Sequence, residues 1–223
     1  ENNMFFSDDV GTIFSANQFG SINWKKNIYT KAYKKINKKL IFSIYKNDIY
    51  VADNIGFVYS LNLNNGNLNW VKNYSIPLKS NIKVFNNRIY LIDQDNRIIS
   101  LNSKDGTKIW DILSISSFIK SQKLLSLAIS KQGDLVVLNS AADLYKIDAN
   151  LGRIYWSTNT LGSLLPDATD FFYSSNVVIT DNEIIFSAGP STYSYNLNDG
   201  MINWESEISS IDTPIIDGDN IFL

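Results

Sequence analysis

Gly20-Ser21-Ile22-Asn23-Trp24, Gly66-Asn67-Leu68-Asn69-Trp70, Gly106-Thr107-Lys108-Ile109-Trp110, Gly152-Arg153-Ile154-Tyr155-Trp156 and Gly200-Met201-Ile202-Asn203-Trp204 are five copies of one pattern. Each is a glycine, three residues and a tryptophan. Together they account for all five tryptophans of the 223-residue chain, and successive tryptophans stand 46, 40, 46 and 48 residues apart. Recurrence at such a period indicates one supersecondary unit repeated and stacked.

Each copy has the same surroundings. Four residues before the glycine stand Asn62, Asn102, Asp148 and Asn196, and the first copy departs with Ala16. A short Asx side chain there bonds back to the backbone of the turn that follows, and the glycine supplies the positive φ that such a turn needs. Upstream lie short β-branched and aromatic runs separated by turn residues, which read as strands and hairpins. In the second unit these runs are Leu40–Tyr45, Ile49–Ala52 and Phe57–Asn62, followed by the strand that carries Trp70. The pattern recurs at 82–85, 89–92 and 98–102 before Trp110, at 125–129, 135–138 and 144–148 before Trp156, and at 177–179, 184–187 and 193–196 before Trp204. The first unit shows strands at 3–7 and 12–16 and a third that ends near Trp24. The chain closes on Pro214–Ile216 and Asn220–Leu223.

The expected fold is therefore all-β, a β-propeller of four-stranded antiparallel blades. Blade boundaries are expected near 28–72, 79–112, 123–158 and 174–208, with incomplete blades at 1–27 and 209–223. The hydrophobic-Asx-x-x-x-Gly-x-x-x-Trp pattern resembles the tryptophan-docking motif of the quinoprotein (PQQ-like) β-propeller repeat. That resemblance covers nearly the whole chain. It implies that the rings of Trp24, Trp70, Trp110, Trp156 and Trp204 pack between adjacent blades, with Gly20, Gly66, Gly106, Gly152 and Gly200 as the motif glycines. One indole buries roughly 150–250 Å², which suits a joint between units. The resemblance implies a propeller of about eight blades, the upper end of the usual range, so a chain with about five reads as a partial arc. A closed five-bladed ring is the alternative, in which Pro214–Ile216 completes the opening blade.

Composition narrows the chemistry. Hydrophobic residues make up 44% and aromatic residues 13% of the chain, which suits a large packed core. No apolar run reaches the ~18 residues of a membrane-spanning helix, and Glu1-Asn2-Asn3 does not read as a leader. Cysteine and histidine are both absent. Zinc sites of the Cys/His type, disulfides and Ser-His or Cys-His nucleophiles are thereby excluded. The net charge of -2 hides a gradient: +5 over residues 1–46, +4 over 47–133 and -11 over 134–223. The run Lys25, Lys26, Lys31, Lys34, Lys35, Lys38 and Lys39 reads as a solvated connection, or as a patch for an acidic partner or lipid headgroups. Without arginine or interleaved aromatic platforms it does not read as a nucleic-acid surface.

Two functions follow from the resemblance. One is a non-catalytic periplasmic scaffold like the BamB-type outer-membrane assembly lipoproteins, held at the outer membrane by a lipid anchor outside this sequence. Its partner would be a protein, the barrel-assembly protein being the candidate. The other is a PQQ-dependent dehydrogenase with a Ca²⁺-bound quinone on the propeller axis. Blades of near-minimal length and the absence of cysteine favour the scaffold, with no catalytic residues, cofactor or metal. Asp93, Asp95, Asp181 and Asp199 read as turn residues. The longest connection contains Leu164, Leu165, Asp167, Phe171 and Phe172, whose apolar composition suits a partner-binding loop.

Overall fold

The computed structural model describes residues 3–33, 35–114, 125–160, 174–218 and 220–223. Its strands form six antiparallel sheets in chain order. The first holds β1 (Met4–Ser7), β2 (Thr12–Ala16) and β3 (Ile22–Asn27). The second holds β4 (Leu40–Tyr45), β5 (Asp48–Asp53), β6 (Phe57–Asn62) and β7 (Leu68–Asn73), and the third β8 (Lys83–Phe85), β9 (Arg88–Ile92), β10 (Arg97–Asn102) and β11 (Lys108–Leu113). In the fourth are β12 (Ser126–Ile129), β13 (Asp134–Leu138), β14 (Asp143–Asp148) and β15 (Ile154–Asn159). The fifth contains β16 (Val178–Ile179), β17 (Glu183–Ala188), β18 (Ser191–Asn196) and β19 (Ile202–Ser206), and the sixth β20 (Ile215–Asp217) and β21 (Asn220–Phe222). Among the described residues, the one helical element is a short 3₁₀ turn at Lys31–Tyr33. The all-β propeller class stands.

Each sheet is a meander whose neighbours in space are neighbours in sequence. The middle strands read as unbroken apolar runs because both of their faces are covered. β9 shows how. Ile89 and Leu91 enter one core cluster together with Tyr50, Ala52 and Leu101. Tyr90 and Ile92, on the opposite face, enter another with Leu127, Leu135 and Val137. β13 repeats the division, sending Leu135 and Val137 one way and Val136 and Leu138 the other. The core is thus a series of layers between successive sheets, and the period-two alternation of each strand supplies two layers at once.

A register shift recurs in the last hairpin of each of the first five sheets. Ser60 pairs with Trp70, but Leu61 pairs with Leu68, so Asn69 is an extra residue. Asn23, Ile109, Tyr155 and Asn203 are bulged in the same way. Such a bulge re-aims one side chain and adds twist. The first tryptophan strand also runs on past its ring, β3 reaching Asn27 rather than ending near Trp24.

Candidate functional site: the joints between sheets and the inner cavity

Every joint is built from local turns. Asn62 Oδ1 accepts the Asn64 and Asn65 amides (3.0 and 3.3 Å), Asn102 Oδ1 that of Lys104 (2.9 Å), and Asn196 Oδ1 that of Asn198 (2.8 Å). Asp148 Oδ1 accepts Asn150 and Leu151 (2.8 and 3.0 Å). In the first unit Asn17 takes this role one residue later than Ala16, accepting Phe19 and Ser21 (2.9 and 3.0 Å). The turn there is one residue tighter, closed by Gly20 N–H on Asn17 O.

Each of the four later turns receives a ring from the preceding sheet. Trp24 lies against Gly66, Trp70 against Gly106, Trp110 against Gly152 and Trp156 against Gly200. The approach is so close that a Cβ at any of these glycines would stand 2.6–2.8 Å from the indole. The indole nitrogens donate to the carbonyl just after each Asx residue: Trp24 to Leu63 (3.1 Å), Trp70 to Ser103 (3.0 Å), Trp110 to Ala149 (3.1 Å) and Trp156 to Leu197 (3.2 Å). Gly20 has no atom within 4 Å of the place a Cβ would take. The arrangement joins units mechanically and carries no reactive group.

Two further repeated devices have weaker sequence signals. The bulged Asn69 donates to Ser60 Oγ (3.1 Å) and Asp48 Oδ1 (2.9 Å), and Asn203 to Ser194 Oγ (3.1 Å) and Glu183 Oε1 (3.4 Å). In the third sheet position 109 is isoleucine, and Ser100 Oγ is buried without a partner. The second device caps the turn between the middle strands. Asp53 Oδ1 accepts the amides of Ile55, Gly56 and Phe57 (2.8–2.9 Å), Asp93 Oδ1 those of Asp95 and Arg97, and Asn139 Oδ1 those of Ala141 and Asp143. Burial raises the Asp93 carboxyl above its usual range.

Asp53 also anchors the first joint, accepting the Tyr29 hydroxyl on Oδ2 at 2.6 Å. Burial, with the Asp53 carboxylate beside it, pushes the Tyr29 phenol far up. Lys38 stands 4.8 Å from the Tyr29 ring centroid and donates to Tyr33 O, with only 5% of its surface exposed. Lys38 is thus the exception in a run whose other described lysines, Lys25, Lys26, Lys31, Lys35 and Lys39, are exposed. It is buried because its stem covers the aromatic surface of Tyr29 while its ammonium finds a carbonyl.

The residues named for a partner loop, Leu164, Leu165, Asp167, Phe171 and Phe172, lie outside the described residues. Asp199 caps a local exposed turn through Met201 N–H (2.9 Å). Among the described residues no three acids, histidines or cysteines converge as a metal site.

One cavity of about 360 Å³ lies where first strands meet. Its polar lining is Asn81, Lys83, Asn176 and Thr213, and its apolar wall includes Ile129, Val178 and Ile179. Desolvation lowers the Lys83 ammonium below the usual lysine range. Neither motif glycines nor tryptophans line it, and the sequence pattern did not indicate it.

With this geometry in place, comparison with known proteins is informative. A family model described as outer membrane protein assembly factor BamB matches residues 9–223. No curated protein sequence matches. Among solved structures, BamB from Moraxella catarrhalis superposes with a TM-score of 0.78 at 12% identity, covering 98% of this chain and 66% of that one. Sqt1 of Saccharomyces cerevisiae gives 0.75 at 10% identity, covering 98% and 62%. A quinohemoprotein alcohol dehydrogenase from Pseudomonas putida HK5 gives 0.69 at 10% identity, covering 92% and 40%. These likenesses concern the fold, and the chain spans just under two thirds of the length of the first of them.

Proposed function

Because the chain belongs to the outer membrane protein assembly factor BamB family, we propose that it is a non-catalytic propeller scaffold that binds a protein partner in outer-membrane protein assembly. The observation that carries the reading is the family match over residues 9–223. The proposed setting is the periplasm, at the outer membrane through a lipid anchor. Among the described residues no helix is long and apolar enough to cross a membrane. The joints support a scaffold role because each closes on a neighbouring turn, so that loops project from a fixed frame.

A dehydrogenase reading draws on the quinohemoprotein neighbour. Among the described residues, the cavity does not supply the ligands of a Ca²⁺-bound quinone. Calcium takes roughly six to eight oxygen ligands, with carboxylates among them, whereas the polar part of the cavity's described lining is a lysine, two asparagines and a threonine.

The test is capture by the purified barrel-assembly protein, immobilised, with the propeller at known concentrations. Saturable binding that a folded but unrelated propeller does not show supports the reading. Absence of binding by the folded protein counts against it.

A further inference from the structure

The internal repeats show which residues around the cavity are departures from the unit. Lys83 pairs with Tyr90 across β8 and β9, and the corresponding pairs are Ser43 with Tyr50, Ala128 with Val136 and Val178 with Ile185. One position on the first strand thus holds serine, alanine or valine in three units and lysine in the third. Two residues earlier on the same face come Ile41, Asn81, Ser126 and Asn176. Asn176 Nδ2 donates forward to Thr213 Oγ1 at 2.8 Å. Ser126 Oγ accepts from Val177 N–H at 2.6 Å. Asn81 has no such link. Its Oδ1 is buried without a partner, and the residue lines the cavity.

Among the described residues the lining holds polar side chains but no acid. Among the described residues, Lys83 makes neither an ion pair nor a hydrogen bond, although it is half-buried. A desolvated cation without a counter-charge is costly, and a buried structural lysine is normally paired. An anion would supply a partner. The walls choose among anions: Ile129, Val178 and Ile179 are apolar, and one lysine matches a single charge. Phosphate would meet too few donors and too much hydrocarbon.

We propose that this cavity binds a small organic carboxylate, its carboxyl group at Lys83 and the Asn81 NH₂ and its apolar body against Ile129, Val178 and Ile179. The volume, about 360 Å³, falls in the range of small-molecule pockets, roughly 300–1,000 Å³. The proposal does not depend on the scaffold reading.

The experiment titrates the whole protein with hexanoate, following the Lys83 ε-amine by NMR and heat by calorimetry. Hexanamide, of the same shape without the charge, is the control. Saturable hexanoate binding with a raised Lys83 pKa is expected. Hexanamide should bind at least tenfold more weakly. Lys83→Met should abolish hexanoate binding while keeping the β-sheet circular dichroism, because a thioether chain fills the lysine's volume. Asn81→Leu, a second variant, should weaken it about tenfold. No hexanoate binding by the folded wild type, equal binding by hexanamide, or undiminished binding by folded Lys83→Met would each overturn the proposal.

Discussion

Trp110 packs against Gly152 of the following sheet so closely that a Cβ at position 152 would lie 2.8 Å from its Cδ2, while its Nε1 donates to Ala149 O at 3.1 Å. The ring and the turn fix each other. The glycine is required twice over, by the contact and by its φ of +70°.

Gly152→Ala should therefore cost more than the backbone penalty alone, which is about 1–2 kcal/mol for a left-handed residue. Gly20→Ala is the matched control, since Gly20 has φ +80° and open space around it. Urea unfolding of the two variants should show the larger loss for Gly152→Ala. Equal losses would mean that the indole yields to a methyl group.

Trp110→Ala should cost roughly 3–5 kcal/mol, as removal of a large packed aromatic does. Because units contact mainly their neighbours, hydrogen exchange should quicken in the third and fourth sheets first. Uniform loss of protection across all sheets would show instead that the fold is cooperative as a whole.

Ile109→Asn should restore the bond that the second and fifth sheets make. Ile109 is 43% exposed, so little apolar burial is lost, and a partner for Ser100 Oγ is worth about 0.5–1.5 kcal/mol. A double-mutant cycle with Ser100→Ala separates the cause. In the Ser100→Ala background the same change should give no gain, and a gain there would point to some other contact.

Asp93→Asn should stabilise the fold at neutral pH, keeping the turn cap as Asn139 does in the next unit. Burial raises the folded Asp93 pKa above its unfolded value of 3.8. A raised carboxyl favours the fold in its protonated form, so its contribution is present below 3.8 and is lost as the pH rises through the raised value. The advantage of Asp93→Asn, measured by urea midpoints, should shrink as the pH is lowered past the raised value. A pH-independent difference would assign the gain elsewhere.

Strands, turns and the repeating unit were legible in the sequence because they depend on neighbours a few residues apart. The β9 run Ile89–Ile92, the Asx at Asn102 and the glycine at 106 each act within one turn or one hairpin. The bulge at Asn69 was not legible, since an extra residue is defined only against a partner strand. Nor was the placement of Lys38, whose surroundings are Tyr29 and Tyr33 rather than its lysine neighbours.

By itself, then, the sequence determined the class of fold and the size of its unit, through alternation of apolar residues and recurrence of Gly and Trp. Tertiary structure decided which turn each indole meets, which serine goes without its asparagine and which lysine faces a cavity. Asn81, Lys83, Asn176 and Thr213 come from three units, and only the stacking of sheets brings them together. Local patterns set hydrogen bonds within a unit, whereas burial and charge compensation depend on everything that packs around a side chain.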